Sequence, residues 1–220
     1  MRRVVVRLLL STFCIYISVD IGQAMAATLE PRTEVQDVAS MDTDESLRRG
    51  LKKGMEEVDF WIGAGPGMKV FGSEQAHDMA LTGINYGWIL IDRTAGDKWY
   101  RGNWELLLEL LGGAQFEPQD RHVIGASPLA RYNFTGNERL TPFLNVGAGI
   151  AETDIGEPDL STRFEFILQA GGGVHYFLTA NKALTLQYRF LHLSNAGIDS
   201  PNLGVNTSLF TIGISWFLGD

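Results

Sequence analysis

From Val58 onward apolar and polar residues alternate with a period of two. That is the spacing of a strand whose successive side chains point to opposite faces. The alternation predicts eight strands, at 58–71, 79–91, 99–111, 122–134, 141–150, 162–177, 182–194 and 207–218. In the last of them Phe210, Ile212, Ile214 and Trp216 share one face, and Thr211, Gly213 and Ser215 the other. In the sixth, Phe164, Phe166, Leu168, Ala170, Val174 and Tyr176 oppose Arg163, Glu165, Gln169 and His175. In the third, Trp104, Leu106, Leu108 and Leu110 oppose Asn103, Glu105 and Glu109.

One face is thus apolar with aromatic ends, and the other carries charges and glycines. A water-soluble sandwich turns its apolar face inward. A small outer-membrane barrel inverts this, with lipid against the apolar face and a polar network filling a narrow lumen. An even strand count favours the barrel, as do short links after the fourth and sixth strands and longer ones after the third, fifth and seventh. The fold expected is therefore all-β, an eight-stranded antiparallel outer-membrane β-barrel over 58–220. Its expected lumen residues are Glu105, Glu109, Arg131, Arg163, Glu165, Gln187 and Arg189. Two features fit less well. The link after the second strand is long for an inner turn, and the chain ends Phe217-Leu218-Gly219-Asp220 rather than on an aromatic residue.

Residues 1–26 read as a secretory signal peptide. Arg2, Arg3 and Arg7 precede an apolar stretch, and Ala24-Met25-Ala26 is a small-x-small cleavage site. A lipoprotein signal would use Cys14, the only cysteine of the chain, but the bulky Phe13 before it argues against one. Residues 27–57, rich in charge and poor in aromatics, read as a short polar periplasmic linker. Once the leader is removed no cysteine remains, so no disulfide stabilises the barrel. The formal net charge of −8 excludes a basic nucleic-acid footprint.

Familiar catalytic signatures are few. There is no P-loop, HExxH or CxxC, and Gly63-Ala64-Gly65-Pro66-Gly67 fails the dinucleotide fingerprint. His77, His122 and His175 lack ligand spacing, and no metal or cofactor is expected. The informative string is His192-Leu193-Ser194-Asn195-Ala196-Gly197, followed by Pro201-Asn202-Leu203-Gly204-Val205-Asn206. Residues i and i+2 of a strand share a face with Cα atoms roughly 6.5–7 Å apart, within reach of an imidazole–hydroxyl bond. Leu184, Leu186, Tyr188 and Phe190 precede His192 in the same phase, so His192 and Ser194 are expected to face lipid. A polar pair on that face is costly without a purpose. It suits a membrane-resident substrate, but by spacing alone it reads first as an interfacial polar pair that marks the strand end. With the similarity of the flanking string given below, Ser194 is the expected nucleophile and His192 the general base and then acid. The Asn195 amide and backbone N–H groups near Ala196-Gly197 are the expected oxyanion donors.

The same string resembles the lipid A 3-O-deacylases of the PagL type, outer-membrane enzymes of eight-stranded barrel fold. The resemblance implies a serine esterase that removes the 3-O acyl chain of lipid A in the outer leaflet of the cell outer membrane, with lipopolysaccharide as partner; the sequence leaves a homodimer open as the assembly. It also marks a departure. The family's acidic triad member is a Glu, where this chain has Asn206. Asn206 can offer its amide oxygen to the imidazole, but without a full charge. Asp199 is the alternative third member if its loop folds back. Asn206→Ala is expected to slow hydrolysis and Asn206→Glu to preserve or raise it, because a carboxylate holds the same hydrogen bond and adds charge stabilisation of the imidazolium. The competing reading is a non-catalytic barrel that binds lipopolysaccharide or stabilises the membrane.

Overall fold

A computed structural model describes residues 50–137 and 139–219. The expected leader and most of the expected linker lie outside these residues. Eight antiparallel strands follow one another around a closed barrel: β1 Glu56–Gly65, β2 Asp78–Ile89, β3 Gly102–Glu117, β4 Arg121–Phe134, β5 Leu140–Thr153, β6 Phe164–Thr179, β7 Lys182–Ser194 and β8 Val205–Leu218. β8 closes on β1, with Val58 opposite Trp216 and Ile62 opposite Ile212. Closure leaves no unpaired edge, the condition for spanning a bilayer with strands.

Alternation decides which side chain faces which medium. Along β7 every residue from Ala183 to Leu193 at odd positions is buried, while Leu186 and Tyr188 are exposed. Phe60, Ile62, Leu110, Ile124, Leu144, Val146 and Phe210 extend the exposed apolar surface around the barrel. In water such a surface would be an aggregation hazard; in a bilayer it is the lipid contact.

The lumen is layered rather than uniformly polar. Its middle holds Arg131, whose Nη1 donates to Glu57 Oε2 at 2.5 Å, and Arg189, whose Nη1 donates to Glu109 Oε2 at 2.6 Å. Each guanidinium also stacks on an aromatic ring, Phe143 at 4.5 Å and Trp61 at 4.7 Å. Glu105, Glu165, Gln187 and His175 are buried in the same cavity. Apolar clusters close both ends. Leu51, Met55, Ile89, Phe177, Ala183 and Phe217 plug the end where β1 begins and β8 finishes. Met79, Val123, Ile155, Leu160, Leu191, Leu193 and Val205 are among those that plug the other.

Three expectations need correction. Arg163 is not a lumen residue: it precedes β6, is exposed, and pairs with Glu152 at the rim. The first strand ends at Gly65 rather than 71: Pro66 has no N–H to give the ladder, and beyond it the chain keeps only an isolated bridge from Gly67 to Thr207 while Gly67 donates its N–H to Asp78 Oδ1 at 2.9 Å. The link after the third strand is short, spanning only 118–120, because β3 runs through Gly112 and Gly113 to Glu117. Those glycines are not breakers. A Cβ on Gly113 would lie 2.2 Å from the Ala80 carbonyl oxygen, so this pairing requires the absence of a side chain.

Candidate active site

β7 ends on the string that carries the chemistry. His192 and Ser194 lie on its outer face, both half-buried, above Leu186, Tyr188 and Phe190. Their lumen-facing neighbours Leu191 and Leu193 are fully buried in the apolar plug, which fixes the strand beneath the pair. In the register of β7 with β8, His192 stands opposite Asn206. His192 Nδ1 and Asn206 Oδ1 are 2.7 Å apart. Asn206 is fully buried, and its Nδ2 donates to the Val70 carbonyl at 3.0 Å. A carbonyl only accepts, so the amide nitrogen belongs on Val70 and the amide oxygen on His192. The imidazole hydrogen therefore sits on Nδ1, and Nε2 keeps a lone pair. That is the tautomer a general base needs.

Among the described residues no hydrogen bond joins Ser194 Oγ to His192. Such contacts tighten in substrate complexes and are often open without one. Ser194 faces a groove of about 580 Å³ on the outer surface of the barrel. Val146, Leu168 and Ala170 form one side and Phe71, Phe190 and Leu203 the other. Phe71 comes from the β1–β2 loop and meets Phe190 edge-on at 6.3 Å. The groove is mostly apolar with a few polar groups at one end, the character of a lipid-chain site.

Gly204 is required where it stands. Its φ is +83°, and a Cβ there would lie 2.6 Å from His192 Cε1. Both facts exclude a side chain, so the backbone can close against the imidazole edge.

The nominated oxyanion donors are engaged within the β7–β8 loop. Asn195 is buried; its Nδ2 donates to Ser161 Oγ and to the Asp199 carbonyl, each at 3.1 Å. Its Oδ1 accepts the Gly197 N–H at 2.9 Å. Asn202, to which sequence reasoning assigned no role, belongs to the site. It lines the groove, and its Oδ1 accepts the Asn195 N–H at 3.0 Å, which leaves the Nδ2 donor for the groove. Asp199 is exposed and its carboxylate accepts the Ser200 N–H at 2.8 Å, so the structure does not bring it to His192.

The other histidines are held elsewhere. His175 bonds Thr185 Oγ1 in the lumen, His122 bonds Glu152 at the rim, and His77 bonds Gln115 and Asp159 in the outer loops. Val70 and Asp159, both close to this site, carry no local signal in the sequence. They lie far along the chain from the residues they serve, and only the folded loops join them.

Fold and site together define a class: a transmembrane β-barrel of the outer membrane, with a His–Ser pair on its lipid-facing surface beside an apolar groove. The profile of the lipid A 3-O-deacylase (PagL) family matches residues 82–215, and the chain belongs to that family. A curated relative, the lipid A deacylase PagL of Pseudomonas aeruginosa, is 32% identical over 98 residues, which is 43% of this chain. That match spans 54% of the relative, about half its length. Among solved structures, Neisserial surface protein A has a TM-score of 0.53 at 15% identity, covering 74% of this chain and 99% of that one. This likeness is one of fold. The outer membrane enzyme PagL is 20% identical with a TM-score of 0.49, covering 70% of this chain and 97% of that one.

Proposed function

We propose that this protein is an outer-membrane serine esterase that removes the 3-O-linked acyl chain of lipid A. The observation that carries the reading is the His192–Asn206 pair, which leaves Nε2 free as a base beside Ser194 and an acyl-sized groove. With the start of β1 and the end of β8 on the periplasmic side, β7 runs outward and the pair lies at the outer leaflet, where lipopolysaccharide resides.

The ester carbonyl enters beside Ser194 with its acyl chain in the groove. Ser194 Oγ attacks as its proton passes to His192 Nε2. Asn206 Oδ1 holds the Nδ1 hydrogen and keeps the ring in plane. The Asn202 Nδ2 donor is available to the developing oxyanion, and one such donor is worth about 3 kcal/mol. His192 then returns the proton to the departing alkoxide. Water, deprotonated by the same nitrogen, releases the fatty acid from Ser194. Asn195 and Gly197 contribute by shaping the loop that carries Asn202. The apolar wall excludes water from the acyl chain and leaves the carbonyl in a low-dielectric setting, where fixed donors act more strongly.

Mass spectrometry of lipid A from cells with and without the gene tests this directly. Loss of one 3-O acyl chain in the parent, absent with Ser194→Ala, is the expected result. An unchanged lipid A profile in the parent would favour a non-catalytic barrel that binds lipopolysaccharide. A homodimer is compatible with the same reading; chemical cross-linking in membranes distinguishes it from a single barrel.

A further inference from the structure

One residue, by its side chain and its backbone carbonyl, ties together three outer loops above the His–Ser pair. Asp159, in the β5–β6 loop, is fully buried. Its Oδ1 accepts the Glu74 N–H at 2.7 Å, and its Oδ2 faces the Gln75 N–H at 3.0 Å and His77 Nε2 at 2.7 Å. Its backbone carbonyl accepts the Leu203 and Gly204 N–H groups at 2.9 and 3.2 Å. The β1–β2 loop, 66–77, is thus clamped to the segment that presses on His192. Its near side is stitched to β8: Met68 donates its N–H to the Asn206 carbonyl at 2.8 Å, and Ser208 donates its N–H to the Pro66 carbonyl at 3.0 Å.

Between clamp and stitch lies Val70, whose carbonyl takes the Asn206 Nδ2 hydrogen. That contact has a directional consequence. Free of it, the amide of Asn206 can turn and offer its NH₂ to His192 Nδ1, which would put the imidazole hydrogen on Nε2 and remove the base. A carboxylate at 206 would set an oxygen against the Val70 carbonyl, two acceptors with no hydrogen between them.

We propose that the β1–β2 loop is a positioning element of the His192–Ser194 pair: Asp159 holds the loop, and the loop's Val70 carbonyl fixes Asn206 with its oxygen on His192, so the third position is built for an amide. This rests on the esterase reading above. It reverses the expectation that a carboxylate at 206 preserves or raises activity. Asp159 is a positioning residue, acting through Val70 and Asn206, and touches no reacting atom.

The test uses the full chain refolded in detergent micelles, with ¹⁵N-labelled histidine and lipid A as substrate. In the parent, His192 shows the Nδ1–H tautomer. Asp159→Ala mixes the tautomers and lowers kcat about tenfold or more, with KM changed less than about threefold. Asn206→Asp lowers kcat about tenfold in the parent. In the Asp159→Ala background the same change costs less than about threefold, because the released loop no longer opposes the carboxylate. The proposal is overturned if Asp159→Ala leaves a pure Nδ1–H signal and near-parental kcat, or if the two substitutions act independently. Should Asp159→Ala fail to fold, His77→Ala removes one arm of the clamp and carries the same expectation in smaller degree. A parent no more active than Ser194→Ala would sink the esterase reading, while the tautomer signal still decides whether the loop positions the ring.

Discussion

The middle of the lumen and the outer end of β7 both set polar side chains among apolar ones, and they do so in opposite ways. In the lumen, charge meets charge: Arg131 with Glu57, and Arg189 with Glu109, with the Gln169 amide oxygen as a second acceptor for Arg189. Every strand contributes and lipid is kept out, so the network fills space and fixes register. At β7, His192 keeps one partner and Ser194 none among the described residues, and both look outward. A charge pair left in the interior is a structural solution to a desolvation problem. A half-satisfied pair facing lipid leaves donor and acceptor capacity for something that arrives. Pairing, rather than polarity, separates the two regions.

The sharpest way to break this contrast is Ser194→Ala. If the outer pair is chemical and the lumen structural, hydrolysis should fall by about 10⁴-fold or more. The barrel should keep its heat-modifiable mobility on gels, because Ser194 supports no packing layer. Retained hydrolysis of lipid A would abolish the distinction.

Arg189→Ala is the mirror experiment. It leaves Glu109 buried with an unpaired charge, a change that costs about 3–5 kcal/mol. The urea midpoint in micelles should drop accordingly, while the rate per folded barrel stays near parental. A lost rate with unchanged stability would mean that the lumen network is coupled to the reaction.

Much of this contrast is legible in the residue order. The seventh strand is expected and observed at 182–194, and the phase from Leu184 to Phe190 already turns His192 and Ser194 outward. Strand ends read less well wherever tertiary approach overrides local signals. The third strand runs on past 111, where the bare Gly113 lets β2 come close, and Arg163 continues the polar phase of the sixth strand yet escapes to the rim. The layering of the lumen is not legible either: Leu191 and Leu193 point inward, and only the folded loops make them part of an apolar plug. The site divides the same way. The His–Ser spacing is local and visible. Val70, Phe71 and Asp159 join it only through contacts across the length of the chain, which no periodicity records.

Gly204→Ala sharpens the comparison at the backbone. The added methyl meets His192 Cε1 and sits at a φ that L side chains rarely adopt. The imidazole must move, and displacement of a catalytic group by about 1 Å costs about a hundredfold. kcat should fall by about that factor, with a smaller loss of stability than Arg189→Ala causes. Parental kcat would show that the ring tolerates a shift and that its position is loosely held.

The rim offers a third setting, polar groups that keep water, and there the smallest effect is expected. Asp154, beyond the end of β5, is one-third exposed. Burial pushes its carboxyl up, but the His122 N–H at 2.7 Å and the nearby His122 and Arg121 side chains outweigh this, leaving it below its ordinary value of 3.8. A carboxylate held low in the folded state stabilises that state above its unfolded pKa, and the contribution is lost as pH falls through the depressed value. Asp154→Asn should therefore lower the thermal midpoint at pH 6 and make no difference in strong acid. The size should stay at or below about 1 kcal/mol, because water screens an exposed ion pair. Deacylation at pH 6 should not change, since the rim neither pairs with His192 nor lines the groove. A loss as large as that of Arg189→Ala would move the rim into the same class as the lumen, and pairing rather than exposure to water would then set what each charge is worth.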